Sequence, residues 1–465
     1  ALRAKVEALM AERVTPALAE VAGQAEDMAH SAAAMAKRQS DNLASTVRAQ
    51  PFAAIEYGAY GWGRIAGGGS TEIAGGDLTL IGQYKTYDGP WQLKEELDHK
   101  SMWGKYSRAT DFGTWNLSLS GYVATWKPSE QIPESAVGTA ACADEFCALD
   151  PSAFGQTKRW IVTSNWIGDT WRATAYAQFY DWHMLSNPTY EADGQFVQFD
   201  RRWTAGGRYE RRLVQSDSLD VTAGSEVRYD HIGNVGLNAT DTGVFVSNIS
   251  NNAVKEGSVA VYSEATWRPG EKLRATAGLR GDLYNFDVAA NPGAPDIVDV
   301  GQKSETILSP KLGIAYSLTD AIELYGNWGR GFHSNDARGV VKITDPVPGL
   351  VRGTGYEGGA RFEVGTFKVS VAYWWLNLSS ELIFVGDDNT VEPKGGASRR
   401  GYEVVAFWRP MDWLGIDFVY AGSRARYDNE QDGGGRYVEG GVEGAGELGI
   451  AATKGDWELS ARLRY

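Results

Sequence analysis

From Asp77 onward, polar and apolar side chains alternate over segments of roughly ten residues. In WELSARLRY, Trp457, Leu459, Ala461, Leu463 and Tyr465 share one face, and Glu458, Ser460, Arg462 and Arg464 share the other. In LRATAGLRGDL, Leu273, Ala275, Ala277, Leu279 and Leu283 oppose Arg274, Thr276, Arg280 and Asp282. WRATAYAQF sets Trp171, Ala173, Ala175 and Phe179 against Arg172, Thr174 and Gln178, and FKVSVAYWW obeys the same rule. Period-two alternation describes a strand between an apolar and a polar medium, which a soluble sandwich also makes. The connections discriminate. Short turns are read near Ser70–Gly76, Thr110–Asp111, Gly168–Asp169, Gln215–Ser218, Pro269–Glu271, Thr319–Asp320, Val364–Gly365, Pro410–Asp412 and Lys454–Asp456. Between them fall long loops rich in Gly, Asn and Asp at 88–98, 127–156, 184–195, 231–254, 288–303, 334–350, 386–396 and 428–436. A sandwich has no reason to keep every second loop short, whereas a barrel spanning an outer membrane has short periplasmic turns and longer extracellular loops.

Composition agrees with strands in a bilayer. No stretch approaches the ~18 consecutive apolar residues of a transmembrane helix. The 17 Trp and 22 Tyr suit interfacial girdles. A mean hydropathy of −0.34 suits a chain in which only alternate strand residues face lipid. The net charge of −14 argues against nucleic acid as a partner, since phosphates need a basic surface. Cys142 and Cys147, the two cysteines, stand in ACADEFCALD. Two thiols with no neighbouring His are too few for zinc, and in a long loop of an exported protein they read as a disulfide.

The implied fold class is mostly β: an antiparallel transmembrane barrel of about 18 strands over 53–465, after a short α-helical segment. The first clear strand, about Ala53–Ile65, leads into a short turn and so runs inward; Trp457–Tyr465 leaves one and runs outward. A closed barrel with both termini in the periplasm needs the opposite at each end. The parity therefore implies at least one further strand at the front and one at the back, unless the roughly 18 strands close directly on one another.

GGDLTLIGQYKTYDGPW (75–91), CALDPSAFGQTKRW (147–160), SPKLGIAYSLTDAIELYGNWGRGFHSNDARG (309–339) and ELIFVGDDNTVEPKGGASRRGYEVVAFWRPMDWLGIDFVYA (381–421) carry a further signal. These collinear segments resemble the barrel of TonB-dependent receptors. The resemblance implies a barrel of about 22 strands, of which these would be numbers 2 to 19, with an N-terminal plug and a TonB-binding box. No plug precedes the first strand in this sequence, and STVRAQ (45–50) is too slight to serve as the box. An unplugged barrel of this size would leave an aqueous channel.

Residues 1–50 read as an Ala-rich helix with charges of alternating sign, Pro16 breaking it and Thr15 placed to cap the next helical stretch. ERVTPALAEVAGQAEDMAHSAAAMAKRQSDNLASTVRAQPFAAI is similar to the ElaB/YqjD-type membrane-anchored helical proteins. The apolar anchor of that family is replaced here by EYGAYGWGRIAGGG, too polar to span a bilayer. This segment reads as a junction of unrelated sequence, with a genuine helical extension as the alternative. The sequence begins at Ala1 without a basic n-region or apolar h-region, as a processed, truncated or chimeric product would.

The candidate ligand-binding residues are Arg330, His333, Asn335, Asp336 and Arg338 in RGFHSND and just beyond, where a strand meets a long loop. The competing reading is strand termination by Gly, Asn and Asp. Arg172, Arg274, Arg280, Asp282, Glu458, Arg462 and Arg464 are expected on the lumen wall. His99, His183, His231 and His333 fall at strand–loop junctions, either as a metal- or haem-binding rim or as members of the outer interfacial belt; no HxxxH or His/Cys pair supports the rim. Asp387 and Asp388 in VGDDNT resemble a Ca²⁺ loop only faintly beside a solvated turn. No metal site or cofactor is expected. With no Ser/His/Asp order, P-loop or dinucleotide fingerprint, no enzyme is expected either. The resemblance implies TonB-coupled uptake of a scarce solute such as an iron–siderophore complex, with outer-membrane lipid, the TonB complex and a small solute as partners. A passive porin-like channel is the alternative, and a soluble helix-plus-β binding protein is the third reading.

Overall fold

The computed structural model describes residues 49–188, 190, 194–294, 300–385, 390–393, 395–431, 435–438 and 441–465, with backbone alone over 382–385 and 390–393. The Ala-rich segment with Thr15 and Pro16 lies outside the described residues, as do Asp387 and Asp388. The first strands are β1 (Phe52–Tyr57), β2 (Gly63–Ile73), β3 (Gly76–Tyr87), β4 (Leu97–Thr110), β5 (Gly113–Trp126), β6 (Phe154–Ile167) and β7 (Trp171–Ser186). Longer ones come next: β8 (Phe196–Gln215), β9 (Leu219–Asp241), β10 (Val244–Trp267), β11 (Leu273–Ala290), β12 (Gly301–Thr319) and β13 (Ile322–Ser334). After the one-turn helix α1 (Ala337–Val340) come β14 (Leu350–Val364), β15 (Phe367–Leu378), β16 (Leu382–Val385) and β17 (Thr390–Pro393). The last are β18 (Ala397–Met411), β19 (Leu414–Tyr427), β20 (Gly444–Lys454) and β21 (Trp457–Arg464).

All strands but β16 and β17 form one 19-stranded antiparallel sheet, each paired with the next along the chain and β15 with β18. Among the described residues β1 and β21 do not pair, so the barrel is not closed. The short turns come where alternation breaks at Gly. Ala74 and Gly75 take φ of 51° and 74°, the left-handed pair that a two-residue hairpin requires.

The structure departs from the sequence reading in three places. The strand expected at Ala53–Ile65 is two, because the Gly-rich stretch at 58–63 turns the chain with Tyr60 and Gly61 at φ of 57° and 69°. β1 therefore runs antiparallel to β2 and is a strand the sequence reading did not count. The stretch at 231–254, expected as a loop from its Asn, Gly and Ser, is the upper part of a β9–β10 hairpin closed at Thr242–Gly243 (φ 49° and 81°). Three register shifts in β9–β10 account for its irregular polarity. Finally, the loop after β15 contains the small β16–β17 hairpin.

Cross-strand register assigns the two faces. Leu279 and Leu283 point outward with Leu308, Leu312 and Ile314, all largely exposed, as a lipid-facing surface must be. The opposite face is polar along most of the strands and turns apolar at the end that carries the long loops. There Ile232, Val254, Phe286, Val288 and Ile307 pack beneath Ala337, Val340, Val341, Val347 and Leu350. The chain between β13 and β14 folds onto the inner wall rather than into solvent. Its Val residues drive this, since each fully buried aliphatic side chain contributes about 1.5–3 kcal/mol.

Candidate functional site

The inner wall is built from opposite charges two residues apart on one strand, which alternation places on the same face. RYE in β8 joins Arg208 to Glu210 at 2.6 Å, RYD in β9 joins Arg228 to Asp230 at 2.6 Å, and RGD in β11 joins Arg280 to Asp282 at 2.8 Å. Neighbouring strands interlock these units. Arg172 on β7 pairs with Glu210, Arg280 reaches Glu226 at 3.1 Å, and Thr204 donates to Asp230 at 2.7 Å. The Tyr262 ring lies between the guanidinium groups of Arg208 and Arg280, at 5.3 and 5.6 Å, and its hydroxyl accepts from Arg208 Nε at 2.7 Å. Glu210, Asp230 and Asp282 are buried, so their charges are held by these partners rather than by bulk water.

Every expected lumen residue falls on this inner face. Arg274 and Arg361 share Glu323, at 3.3 and 2.5 Å. Arg462 pairs with Glu447 and lies 3.3 Å from Asp417, while Arg464 lies 2.7 Å from Glu447. Glu458 is exposed opposite Thr453. Sequence reasoning missed Arg208, Glu210, Arg228, Asp230 and Tyr262. The recurring Arg-x-Asp/Glu spacing was the available signal. On the wall of β2–β6, Arg64, Gln83, His99, Trp103, Tyr122 and Arg159 line a hollow of about 440 Å³.

The candidate rim residues separate into three environments. Asn335 is buried; its side-chain amide donates to Pro348 O at 2.6 Å and its backbone amide to Gly349 O at 2.9 Å. Asp336 caps α1 through the Arg338 amide at 2.9 Å and pairs with the Arg338 guanidinium at 2.7 Å. Burial opposes ionisation of Asp336, but the Arg338 contacts outweigh it and hold the carboxyl below its ordinary range. These three residues shape the segment 335–349, which is pinned at its far end by Glu305. That carboxylate accepts from the amides of Gly349 and Leu350 at 3.0 and 2.9 Å. His333 is exposed at the end of β13. Arg330 lies on the outer face, over the Trp328 ring at 5.9 Å.

The loops after β3, β5 and β7 meet the β9–β10 tip in a hydrogen-bonded rim. Cys142 and Cys147 form a disulfide, with a Cα separation of 5.3 Å. The intervening Phe146 packs its ring on Trp91 at 5.9 Å and accepts from the Gln92 amide at 2.8 Å. Gln195 donates to Asp150 at 2.6 Å and accepts from Gly243 at the β9–β10 tip at 2.7 Å. Burial opposes the charge on Asp150, yet Ser152, Gln195 and Asn187 together lower its pKa. Nearby, burial and the carboxylates of Glu130 and Asp150 push the Tyr190 phenol up to about 12.

The histidines do not converge. His99 stacks on Tyr122 at 5.8 Å and His183 packs on Phe199 at 6.2 Å, on β4 and β7, while His231 is on β9. Among the described residues no group of three or more His, Cys, Asp or Glu is placed to hold a metal ion.

A family model described as TonB dependent receptor-like, beta-barrel, matches residues 148–465. Among solved structures, the chain is similar to the ferric yersiniabactin uptake receptor FyuA from Yersinia pestis, with a TM-score of 0.70 and 15% identity over 90% of this chain and 68% of that one. The ferric citrate transporter FecA in its unliganded form gives a TM-score of 0.70 and 15% identity, over 88% of this chain and 64% of FecA. The copper transporter OprC gives 0.68 and 13%, over 90% and 67%. The chain thus spans about two thirds of these proteins, and at such identities the likeness shows the fold. With most of the chain matched by the family model, on an antiparallel sheet with a charged inner and an aliphatic outer face, this protein belongs to the TonB-dependent receptor family through its β-barrel.

Proposed function

We propose that residues 53–465 form the wall of an outer-membrane receptor of a Gram-negative bacterium that imports a scarce solute, such as an iron–siderophore complex, with energy supplied through TonB. The inner wall carries this reading: its buried carboxylates are already neutralised by arginines of the same strands, and a loop segment narrows its mouth. Such a wall suits an internal domain that must pack against it and release, because few of its charges are left to hold a passing ion. The rim of loops 88–96, 127–153 and 187–195 would meet the solute. The wall carries transport rather than catalysis.

The test is uptake of ⁵⁵Fe supplied on a panel of chelators, in cells carrying this receptor as their sole iron transporter, with TonB present and absent. Accumulation of at least one chelate that disappears without TonB supports the proposal. TonB-independent accumulation of small solutes would establish the passive-channel alternative instead.

A further inference from the structure

The outer face of β13–β19 carries a cluster of arginines beside a row of aromatic rings. Cross-strand pairing sets Trp328, Tyr356, Trp375, Arg400 and Arg424 at one level. One pair higher, Arg330 begins a row that runs through Thr354, Asn377 and Ser398. Below, the paired Gly326 and Gly358 put no side chain on this face, and the rings of Trp328, Tyr356, Tyr373 and Trp375 line a hollow of about 450 Å³.

Three features of this patch are unusual for a surface facing hydrocarbon. Arg330, Arg400 and Arg424 are all exposed. Like charges directly opposed across two strands destabilise a sheet, yet Arg400 and Arg424 are direct partners. Among the described residues ion pairs take the adjacent Arg399 to Glu381 and Arg426 to Glu443, but none reaches these three. Stacking over Trp375 at 4.3 Å and Trp328 at 5.9 Å fixes Arg400 and Arg330 against the aromatic row. Aromatic rows mark the membrane–water interface, so the guanidinium groups stand at the height of lipid headgroups.

We propose that this patch binds the phosphorylated, multiply acylated glycolipid of the outer leaflet (lipid A). Guanidinium is the side chain suited to bidentate phosphate binding. Arg330 and Arg400 lie three strand spacings apart and two residues offset along the strand, about 16 Å, with Arg424 one strand further on. That separation lets two phosphates of one headgroup be held at once, with an acyl chain lying in the glycine-floored hollow below. Binding relieves the repulsion between Arg400 and Arg424.

The site rests on the outer-membrane reading, and the experiment separates the two. The full chain is extracted from outer membranes in mild detergent, and its bound lipid is identified by native mass spectrometry. Folded state is checked by the shift in gel mobility on heating. Wild type is expected to retain about one lipid A. The triple variant Arg330→Gln, Arg400→Gln, Arg424→Gln should lose it by more than about tenfold, since each arginine near an anionic surface contributes severalfold. The corresponding triple lysine variant should retain most of it. Equal retention by wild type and the glutamine variant, or phosphatidylglycerol in its place, would overturn the site. Absence of the folded chain from the outer membrane would instead overturn the location.

Discussion

Arg280 and Asp282 stand two residues apart on β11, their side chains 2.8 Å apart on the inner face, with the Asp282 side chain almost fully buried. Removing the arginine leaves a buried carboxylate without its cation. Arg280→Ala is therefore expected to destabilise the barrel by about 3 kcal/mol. Asp282→Asn should cost less, about 1 kcal/mol, because Arg280 is partly solvated and keeps Glu226. Urea unfolding in lipid vesicles, monitored by Trp fluorescence, checks the order of the two variants.

The segment 335–349 is expected to stay docked through two independent anchors. Glu305→Ala removes the acceptor for two amides and should speed hydrogen exchange at Gly349 and Leu350 while the strands remain protected. Phe286→Ala hollows the apolar cluster beneath α1 and should cost about 3–5 kcal/mol. Protease cleavage within 335–349 should rise in both.

Cleaving the Cys142–Cys147 bond should affect the rim and spare the wall. A disulfide closing so small a loop stabilises its segment by about 2 kcal/mol. Reduction or Cys147→Ser should free Phe146 from Trp91 and expose the turn to proteolysis, without changing the heat-modifiable mobility of the barrel.

Acid should loosen the same rim. The Asp150 pKa is lowered in the folded chain, so its contribution is fully present above the unfolded value, near 3.9, and is lost as pH falls through the folded value. Protonation weakens the bonds from Gln195 and Ser152, which also position the β9–β10 tip. Hydrogen exchange at Ser152 and Gly243 should accelerate below about pH 4, relative to strand amides. In Asp150→Asn that acid-dependent step should vanish.

Much of the wall was legible because period-two alternation is a local property of the chain. The faces of WRATAYAQF, LRATAGLRGDL and WELSARLRY can be assigned from residue order alone, and the short turns from Gly at their corners. The β9–β10 extension was misread because register shifts between Phe245 and Ser247, Asn248 and Ser250, and Asn252 and Val254 break its period-two alternation. β1 was merged with β2 because a turn of Gly and aromatic residues preserves the look of a strand. The rim was harder. RGFHSND marks a junction correctly, but which residues beyond β13 turn inward depends on the burial of Ala337, Val340 and Val341 in the cluster that contains Phe286, which only tertiary structure supplies. That is why Asn335 and Asp336 shape a loop while Arg330 faces outward.

The central claim, a membrane wall with a wet inner and a lipid-facing outer surface, is tested most directly by cysteine labelling along β11. Single cysteines at Thr276, Ala277, Gly278 and Leu279 in membranes would be probed with a charged, water-soluble maleimide and with a lipid-soluble one. The expected result is strict alternation, with positions 276 and 278 labelled from water and positions 277 and 279 labelled only by the lipid-soluble reagent. Water-soluble labelling at all four positions would contradict the barrel.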